Sequence, residues 1–259
     1  MDTAEMPTKP RLIYLAHSPS TQGVLWLLEE LNVDYDITKF DRPVSTRQLG
    51  MKETHVQGHA PQLILPDGRV ITQMSACMLY LVETYSKSPD NRLREDYLIS
   101  LAVGDIIARL GIKHLFYVLP TQVPFFLSPV VKALGWGLNK GWLNEEVDNA
   151  LQVVEDELEG REWLMGTELS RADIAVKVAV DLAVHPGMVD LEKFPRLKEW
   201  YERCESRPAW KRSLEVGIGY QLDWAVRYRG SQSGSSWTWP VVALAGAFAS
   251  YAYLYGLMP

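Results

Sequence analysis

The sequence predicts an α/β domain followed by an all-helical region, and three observations support this fold class. A short apolar run at residues 12–16 has the length of a buried strand and precedes a segment with helical spacing of apolar residues, from Val24 to Leu31. Two further strand-like runs flank a Pro-Asp-Gly turn that predicts a β-hairpin. Beyond Arg92 the apolar spacing is helical throughout. We therefore predict an α/β domain over residues 11–88 and an all-helical domain over residues 92–220.

Composition limits the functional class. The chain has 259 residues, of which 47% are hydrophobic and 22% charged, so it can bury a sizeable core. Its net charge of -6 argues against nucleic acid as a partner. Cys77 and Cys204 lie far apart without metal-ligand spacing, so we expect reduced thiols in a cytosol-facing protein and no metal site.

The C-terminal segment differs from the rest of the chain. No charged residue follows Arg229, residues 231–236 form a Ser/Gly spacer, and the next segment is apolar with aromatic residues near both ends. Residues 240–257 would span about 27 Å as a helix, close to the thickness of a bilayer core. We predict a transmembrane tail helix over residues 237–259 that anchors the protein to a membrane; the alternative is a terminal helix docked on the globular part.

Hydroxyl groups are concentrated between the first strand and the first helix. Ser18, Ser20 and Thr21 lie in the stretch HSPSTQG, next to the positive end of the helix dipole, where a thiol or an anion can bind. Either Ser20 or Thr21 can equally be the N-cap of that helix. Tyr14 falls inside the strand, and we interpret it as sheet packing.

Two capping signals organise the helical region. Asn144 is the expected N-cap of a helix whose apolar residues face a core. Ser170 and Asp173 form the S-x-x-D pattern of a capping box, with Asp in place of the usual Glu. We interpret this box as structural, because it satisfies N–H groups at the start of a buried helix.

The order of elements, with the segments HSPSTQGVLWLLEELNVDY, HAPQLILPDGRVIT and LMGTELSRADIAV, resembles the cytosolic-fold glutathione transferases over about residues 11–216. The WLLEELNVDY pattern and the apolar tail are most similar to the fungal microsome-associated branch of that family. The resemblance implies a thioredoxin-like N-terminal domain, a C-terminal helical bundle domain and a cis-proline at Pro61. It also implies a homodimer with glutathione as co-substrate.

The resemblance implies positions for the parts of glutathione. Ala60, before Pro61, would offer backbone groups to the cysteinyl part, and His59 would lie near the glycyl carboxylate unless it is an ordinary loop histidine. Gln73 and Met74 would meet the γ-glutamyl end. Family members usually have Ser where this chain has Met74, so one hydroxyl contact is missing.

The thiol-activating residue implied by the resemblance is Ser18, with Ser20 and Thr21 as alternates. A hydroxyl that donates to the glutathione sulfur favours the thiolate, which is the nucleophile. The apolar acceptor substrate would meet an aromatic wall, although core packing explains these residues equally well. The wall residues are Phe116, Tyr117, Phe125 and Phe126.

The expected activity is conjugation of glutathione to a hydrophobic electrophile. The expected location is an intracellular membrane, first of all the endoplasmic reticulum, with the first two domains facing the cytosol. Alternatives are a glutathione-dependent isomerase or peroxidase on the same scaffold, or a non-catalytic relative that does not use glutathione, which Met74 suggests.

Overall fold

The computed structural model describes residues 9–41, 50–86, 91–184 and 188–218. It forms two compact units. Of the described residues, the first unit contains those up to Ile107 and those from Asp148 to residue 218, and the second unit contains Ala108–Val147. The predicted spacer at 231–236 and the predicted tail helix at 237–259 lie outside the described residues. Within the described ranges, no helix has the length and apolar character needed to cross a membrane.

The first unit begins with a mixed four-stranded sheet. Its elements are β1 (Arg11–Leu15), α1 (Pro19–Glu30), β2 (Asp36–Phe40), β3 (Gln62–Ile64), β4 (Val70–Thr72) and α2 (Met74–Tyr85). The strand order is β2-β1-β3-β4. β1 is parallel to β2, whereas the β1–β3 and β3–β4 pairs are antiparallel. This confirms the predicted first strand, first helix and hairpin, and the domain has the thioredoxin-like arrangement.

The hairpin turn has the geometry that its residues favour. Gly68 has φ +83°, a backbone conformation that residues other than glycine rarely adopt. The N–H of Leu65 donates to the carbonyl of Arg69 at 2.8 Å and closes the turn. The turn therefore holds β3 and β4 in register, with Gln62 opposite Thr72.

The remainder of the described chain is helical, as predicted. Its helices are α3 (Arg92–Ser100), α4 (Ala108–Val118), α5 (Ser128–Leu138), α6 (Asn144–Glu157), α7 (Arg171–Val184), α8 (Pro195–Ser206) and α9 (Pro208–Val216). The π-helical segments Leu101–Ile107 and Asn139–Leu143 connect α3 to α4 and α5 to α6 without a break in helical conformation. Two single 3₁₀ turns lie at Leu119–Thr121 and Leu191–Lys193.

The predicted N-cap at Asn144 is wrong. The chain is already helical before this residue, since the turn at Asn139–Leu143 runs directly into α6 and Asn144 itself has φ -65° and ψ -47°. No helix terminus therefore exists there to be capped. The Asn144 side chain instead accepts a hydrogen bond from Nζ of Lys113 at 2.9 Å.

The capping box at the start of α7 is confirmed. The N–H of Ser170 donates to Oδ2 of Asp173 at 2.9 Å, and the N–H of Asp173 lies 3.4 Å from Oγ of Ser170. The other Asp173 oxygen accepts from the N–H of Leu164 and the indole of Trp200, both at 2.9 Å. Burial raises the pKa of the Asp173 carboxyl group, and these hydrogen bonds act in the opposite direction.

Helix α1 is held between α7 and α9 in the first unit. At Gly23 a Cβ atom would lie 3.0 Å from Cγ2 of Val178 on α7, so only glycine allows this close approach. On the α9 side, Nε2 of Gln22 donates to Oγ of Ser213 at 2.8 Å. Arg207 makes two hydrogen bonds to the Glu30 carboxylate, at 2.6 and 2.7 Å. The contacts of Gln22 and Gly23 fix the first turns of α1, next to the hydroxyl-rich turn, and the Arg207 contact fixes its last residue.

Candidate functional site

Three segments singled out in the sequence meet at one end of the sheet. β1 runs towards the turn that contains Ser18, and its antiparallel partner β3 starts just after Pro61. β4 is antiparallel to β3 and ends at Thr72, opposite Gln62, so Gln73 also leaves the sheet at this end. Because β1, β3 and β4 are neighbours in the sheet, the topology brings these three segments together.

The β1–α1 turn presents Ser18 at the helix start. His17 has φ +56°, which redirects the chain after β1. Ser18 is the N-cap of α1, with Pro19 in the first turn, and it is only 6% exposed. The capping role thus belongs to Ser18, and its assignment to Ser20 or Thr21 is wrong.

The hydrogen bonds of Ser18 leave its own proton available. Its Oγ accepts from the Thr21 hydroxyl at 3.0 Å and from the Thr21 N–H at 3.4 Å. Among the described residues, none accepts a hydrogen bond from the Ser18 hydroxyl. Thr21 is fully buried and supports Ser18, whereas Ser20 is half-buried in the first turn of α1. Ser18 can therefore cap the helix and still donate to a ligand.

Tyr14 is a packing residue, as interpreted from the sequence. It is fully buried, and its hydroxyl donates to Oε1 of Gln22 at 2.8 Å. Burial raises the pKa of Tyr14 to about 12. The Tyr14 hydroxyl is thereby committed to fixing Gln22 on α1 and is not presented at the turn.

The second segment is the loop that enters β3. The Ala60–Pro61 peptide bond is cis, as the family resemblance implied. Ala60 precedes Gln62, the first residue of β3 and the end of its pairing with β1, so the Ala60 backbone groups are outside that ladder. Nε2 of Gln62 donates to the His59 carbonyl at 2.9 Å and to the Met51 carbonyl at 3.1 Å, which ties the loop to the preceding turn. His59 is exposed.

The third segment is the start of α2. Gln73 is exposed with φ +72°, and the helix has no side-chain N-cap, so its first N–H groups are open to a ligand. Met74 is 5% exposed. A Cβ added at Gly23 would lie 3.3 Å from its sulfur, so Met74 packs towards α1. The Met74 side chain therefore fills the core, and this position offers no hydroxyl to a ligand.

His17 is the residue at this end of the sheet that the sequence interpretation missed. Its positive φ is uncommon for a residue other than glycine. Its Nδ1 is buried without a hydrogen-bond partner within the described ranges. Its position directly before Ser18 is the only sequence signal that pointed to it.

The residues of the predicted aromatic wall all belong to the second unit. Phe116 is half-buried, and a Cβ at Gly135 would lie 2.9 Å from its own Cβ. Tyr117, Phe125 and Phe126 are exposed, by 62%, 88% and 64%. The core-packing alternative thus fits Phe116 but not the other three. Their role in binding an acceptor substrate stays a prediction.

The described residues contain no group of three or more His, Cys, Asp and Glu side chains placed to hold a metal ion. Both cysteines are buried, and burial raises the pKa of the Cys77 thiol to about 12 and that of Cys204 well above its ordinary value. Neither thiol is therefore placed to act as a nucleophile.

Comparisons with known proteins agree with this geometry. The family model "Glutathione S-transferase, N-terminal domain" matches residues 17–84, and "Glutathione S-transferase, C-terminal domain" matches residues 142–208. Glutathione S-transferase 1 of Saccharomyces cerevisiae is 23% identical, covering 78% of this chain and 92% of the relative. Disulfide-bond oxidoreductase YfcG of Escherichia coli is 27% identical, covering 78% and 93%.

Solved structures share the fold. Ure2p in complex with glutathione aligns with a TM-score of 0.67 at 20% identity, over 80% of this chain and 98% of that one. A glutathione transferase family member from Pseudomonas fluorescens with two glutathione bound aligns with a TM-score of 0.64 at 21% identity, over 82% and 95%. With both family models matched in chain order, this protein belongs to the glutathione S-transferase family.

Proposed function

We propose that the protein is a glutathione transferase that conjugates the glutathione thiolate to a hydrophobic electrophile. Glutathione binds at the end of the sheet where the Ser18 turn, the Ala60–Pro61 segment and the start of α2 meet. An extended peptide suits this place because backbone groups beyond the β1–β3 ladder can pair with it. The family match supports the co-substrate, and the chain's own geometry supports the roles of individual residues.

The observation that carries the proposal is the hydrogen bonding of Ser18. Its two bonds from Thr21 are accepted by Oγ, so the hydroxyl proton remains for a ligand. A glutathione sulfur at this point receives that proton as a hydrogen bond and lies at the N-terminus of α1, where negative charge is stabilised. Both effects favour the thiolate over the thiol.

The remaining contacts follow from the other two segments. Ala60 pairs with the cysteinyl backbone, and His59 lies near the glycyl carboxylate. The open N–H groups at the start of α2 and the Gln73 amide bind the γ-glutamyl end. Because Met74 is directed into the core and brings no hydroxyl, glutathione binding is weaker by about 1 kcal/mol than with serine at this position.

The test separates the capping role of Ser18 from its role as a donor. Ser18→Asp keeps a strong N-cap but has no proton to give at neutral pH, so we expect a normally folded protein. In this variant the pKa of bound glutathione rises and turnover of an aryl halide falls by about a hundredfold. The measurements are ultraviolet thiolate absorbance of the complex against pH and kcat/KM, and Ser18→Thr is the variant that retains activity.

Ser20→Ala is the matched control, since it removes a neighbouring hydroxyl that is not the cap. It leaves both the thiol pKa and turnover unchanged. If Ser18→Asp has wild-type activity and Ser20→Ala loses it, then Ser20 is the donor. Calorimetry with glutathione completes the test, because absence of binding by the wild-type protein contradicts a transferase and favours a non-catalytic relative.

A second candidate is glutathione-dependent redox chemistry, favoured by the similarity to the disulfide-bond oxidoreductase YfcG. In that reaction two glutathione thiols are oxidised to a disulfide while a substrate disulfide is reduced to two thiols. Cys77 and Cys204 are buried and take no part. Product analysis distinguishes the two reactions: conjugation forms a thioether and no glutathione disulfide.

The WLLEELNVDY pattern and the apolar tail support, as a proposal, the fungal microsome-associated branch. The uncharged apolar segment at residues 237–259 supports attachment to an intracellular membrane, with the transferase domains in the cytosol. We also keep the homodimer and the aromatic wall of Phe116, Tyr117, Phe125 and Phe126 as parts of the proposal.

A further inference from the structure

The second unit exposes more apolar surface than its own packing requires. Between Leu115 and Trp142, large apolar side chains that are 44% to 88% exposed recur through two helices and the turn between them. Scattered apolar residues are ordinary on a protein surface, but a concentration of this kind marks an interaction site. The residues are Leu115, Tyr117, Phe125, Phe126, Val130, Leu134, Trp136 and Trp142.

Helix α5 is the centre of this surface. Only Val131 and Gly135 are buried, and they lie four residues apart on one stripe of the helix. That stripe contacts α4, where a Cβ at Gly135 would lie 2.9 Å from Cβ of Phe116. Apart from half-buried Ser128 and Leu138, the other residues of α5 are exposed. We call Val130, Leu134 and Trp136 the α5 face.

The charges of this segment have a single sign. Residues 106–144 contain no Asp or Glu but four basic residues, in a chain whose net charge is -6. Arg109 pairs with Glu146, and Lys113 with Asn144. Lys132 and Lys140 are exposed among the apolar residues of the α5 face, and Nζ of Lys140 lies 5.0 Å from the Trp136 ring.

We propose that the α5 face binds the surface of a bilayer that contains anionic phospholipid, with α5 lying in the interfacial plane. Apolar side chains then enter the boundary between headgroups and acyl chains, tryptophan takes its preferred interfacial position, and Lys132 and Lys140 meet the phosphates. The inference concerns the second unit alone and does not depend on glutathione chemistry.

Two other occupants fit the surface less well. A second copy on a two-fold axis would bring the α5 face against itself and oppose its lysines with like charges. The C-terminal segment of this chain has no charge after Arg229, so it offers nothing to pair with Lys132 and Lys140. An anionic lipid surface complements both the apolar and the basic part of the face.

The experiment places an environment-sensitive dye on the α5 face of the full-length protein. Cys77 and Cys204 are both fully buried, so a nitrobenzoxadiazole label reacts selectively with the introduced thiol of Trp136→Cys. On phosphatidylcholine vesicles containing phosphatidylserine, the emission shifts to shorter wavelength and is quenched by brominated lipid. Glu192→Cys, on an exposed part of the first unit, is the control whose dye stays in water.

Several outcomes overturn the proposal. In the first, the protein does not bind vesicles. In the second, the protein sediments with vesicles but the dye on residue 136 stays in water. A blue-shifted dye without lipid identifies a second copy if the shift disappears on dilution, and the C-terminal segment if it does not. Trp142→Cys repeats the measurement, so misfolding of one variant does not decide the result.

Charge reversal gives an independent measure. The double variant Lys132→Glu and Lys140→Glu retains thermal stability, since both side chains are exposed. Its dye-reported transfer onto phosphatidylserine vesicles falls by about tenfold or more. Transfer onto pure phosphatidylcholine changes little. Glutathione binding by the same variant is unaltered, so failure of this proposal is distinguishable from failure of the proposed function.

Discussion

Helices α7 and α5 are both rich in apolar residues, but the protein uses them in opposite ways. α7 buries twelve of its fourteen residues in the first unit. α5 buries two of its eleven. An apolar helix sequence thus predicts only that part of the helix will be buried, and the surrounding elements decide which part that is. For α7 it is the core of the first unit, and for α5 the described residues supply a partner only along one stripe.

The two helices also differ in how their charges are treated. Three charged residues of buried α7 have fixed partners: Arg171 pairs with buried Glu95, Lys177 with Asp181 at 2.6 Å, and Asp173 with the donors of its capping box. The lysines in and after α5 are exposed. Buried charge in α7 requires a fixed partner, whereas α5 keeps its charges available at the surface.

The largest expected effect comes from removing the Asp173 carboxylate. Asp173→Ala leaves the N–H of Leu164 and the indole of Trp200 buried without an acceptor, so we expect a loss of about 3 kcal/mol or more in the free energy of unfolding. Urea denaturation measures it. Asp156→Ala is the control, because that carboxylate is exposed on α6. A similar small loss in both variants would show that the capping box contributes little.

A direct comparison of the two helices uses one truncation in each. Ile174→Ala removes a fully buried side chain from α7 and is expected to cost about 2 to 5 kcal/mol. Leu134→Ala removes a 44% exposed side chain from α5 and is expected to cost about 1 kcal/mol or less. Calorimetry without lipid gives both values. Equal costs would mean that α5 is packed in the free protein, and the contrast drawn above would fail.

The last comparison, between two glycines, is expected to show effects of opposite sign. At Gly23 a Cβ would lie 3.0 Å from Val178 and 3.2 Å from Ile174, so Gly23→Ala destabilises by about 1 to 3 kcal/mol. At Gly137 on α5 nothing lies within 4 Å of the added atom. Gly137→Ala therefore stabilises the helix by about 0.5 to 1 kcal/mol. Thermal midpoints moving in the same direction in both variants would contradict this assignment of packed and open faces.

The sequence by itself determined the elements whose cause is local. The Pro-Asp-Gly turn, the capping box at Ser170 and Asp173, the interpretation of Tyr14 as packing and the helical character of the second half all follow from short-range backbone and side-chain chemistry. The cis bond before Pro61 followed from the resemblance to the family.

Only the tertiary structure decided which hydroxyl caps α1, that Met74 is directed towards Gly23, and that Asn144 lies within a continuous helical segment. The position of Met74 depends on its contact with a distant part of the chain, and local propensity does not contain that information. The same reason applies to the candidate site: its three segments, at Ser18, Ala60 and Gln73, meet because β3 pairs with both β1 and β4. The exposure of α5 likewise depends on what packs beside it, since its apolar sequence alone is equally compatible with a buried helix.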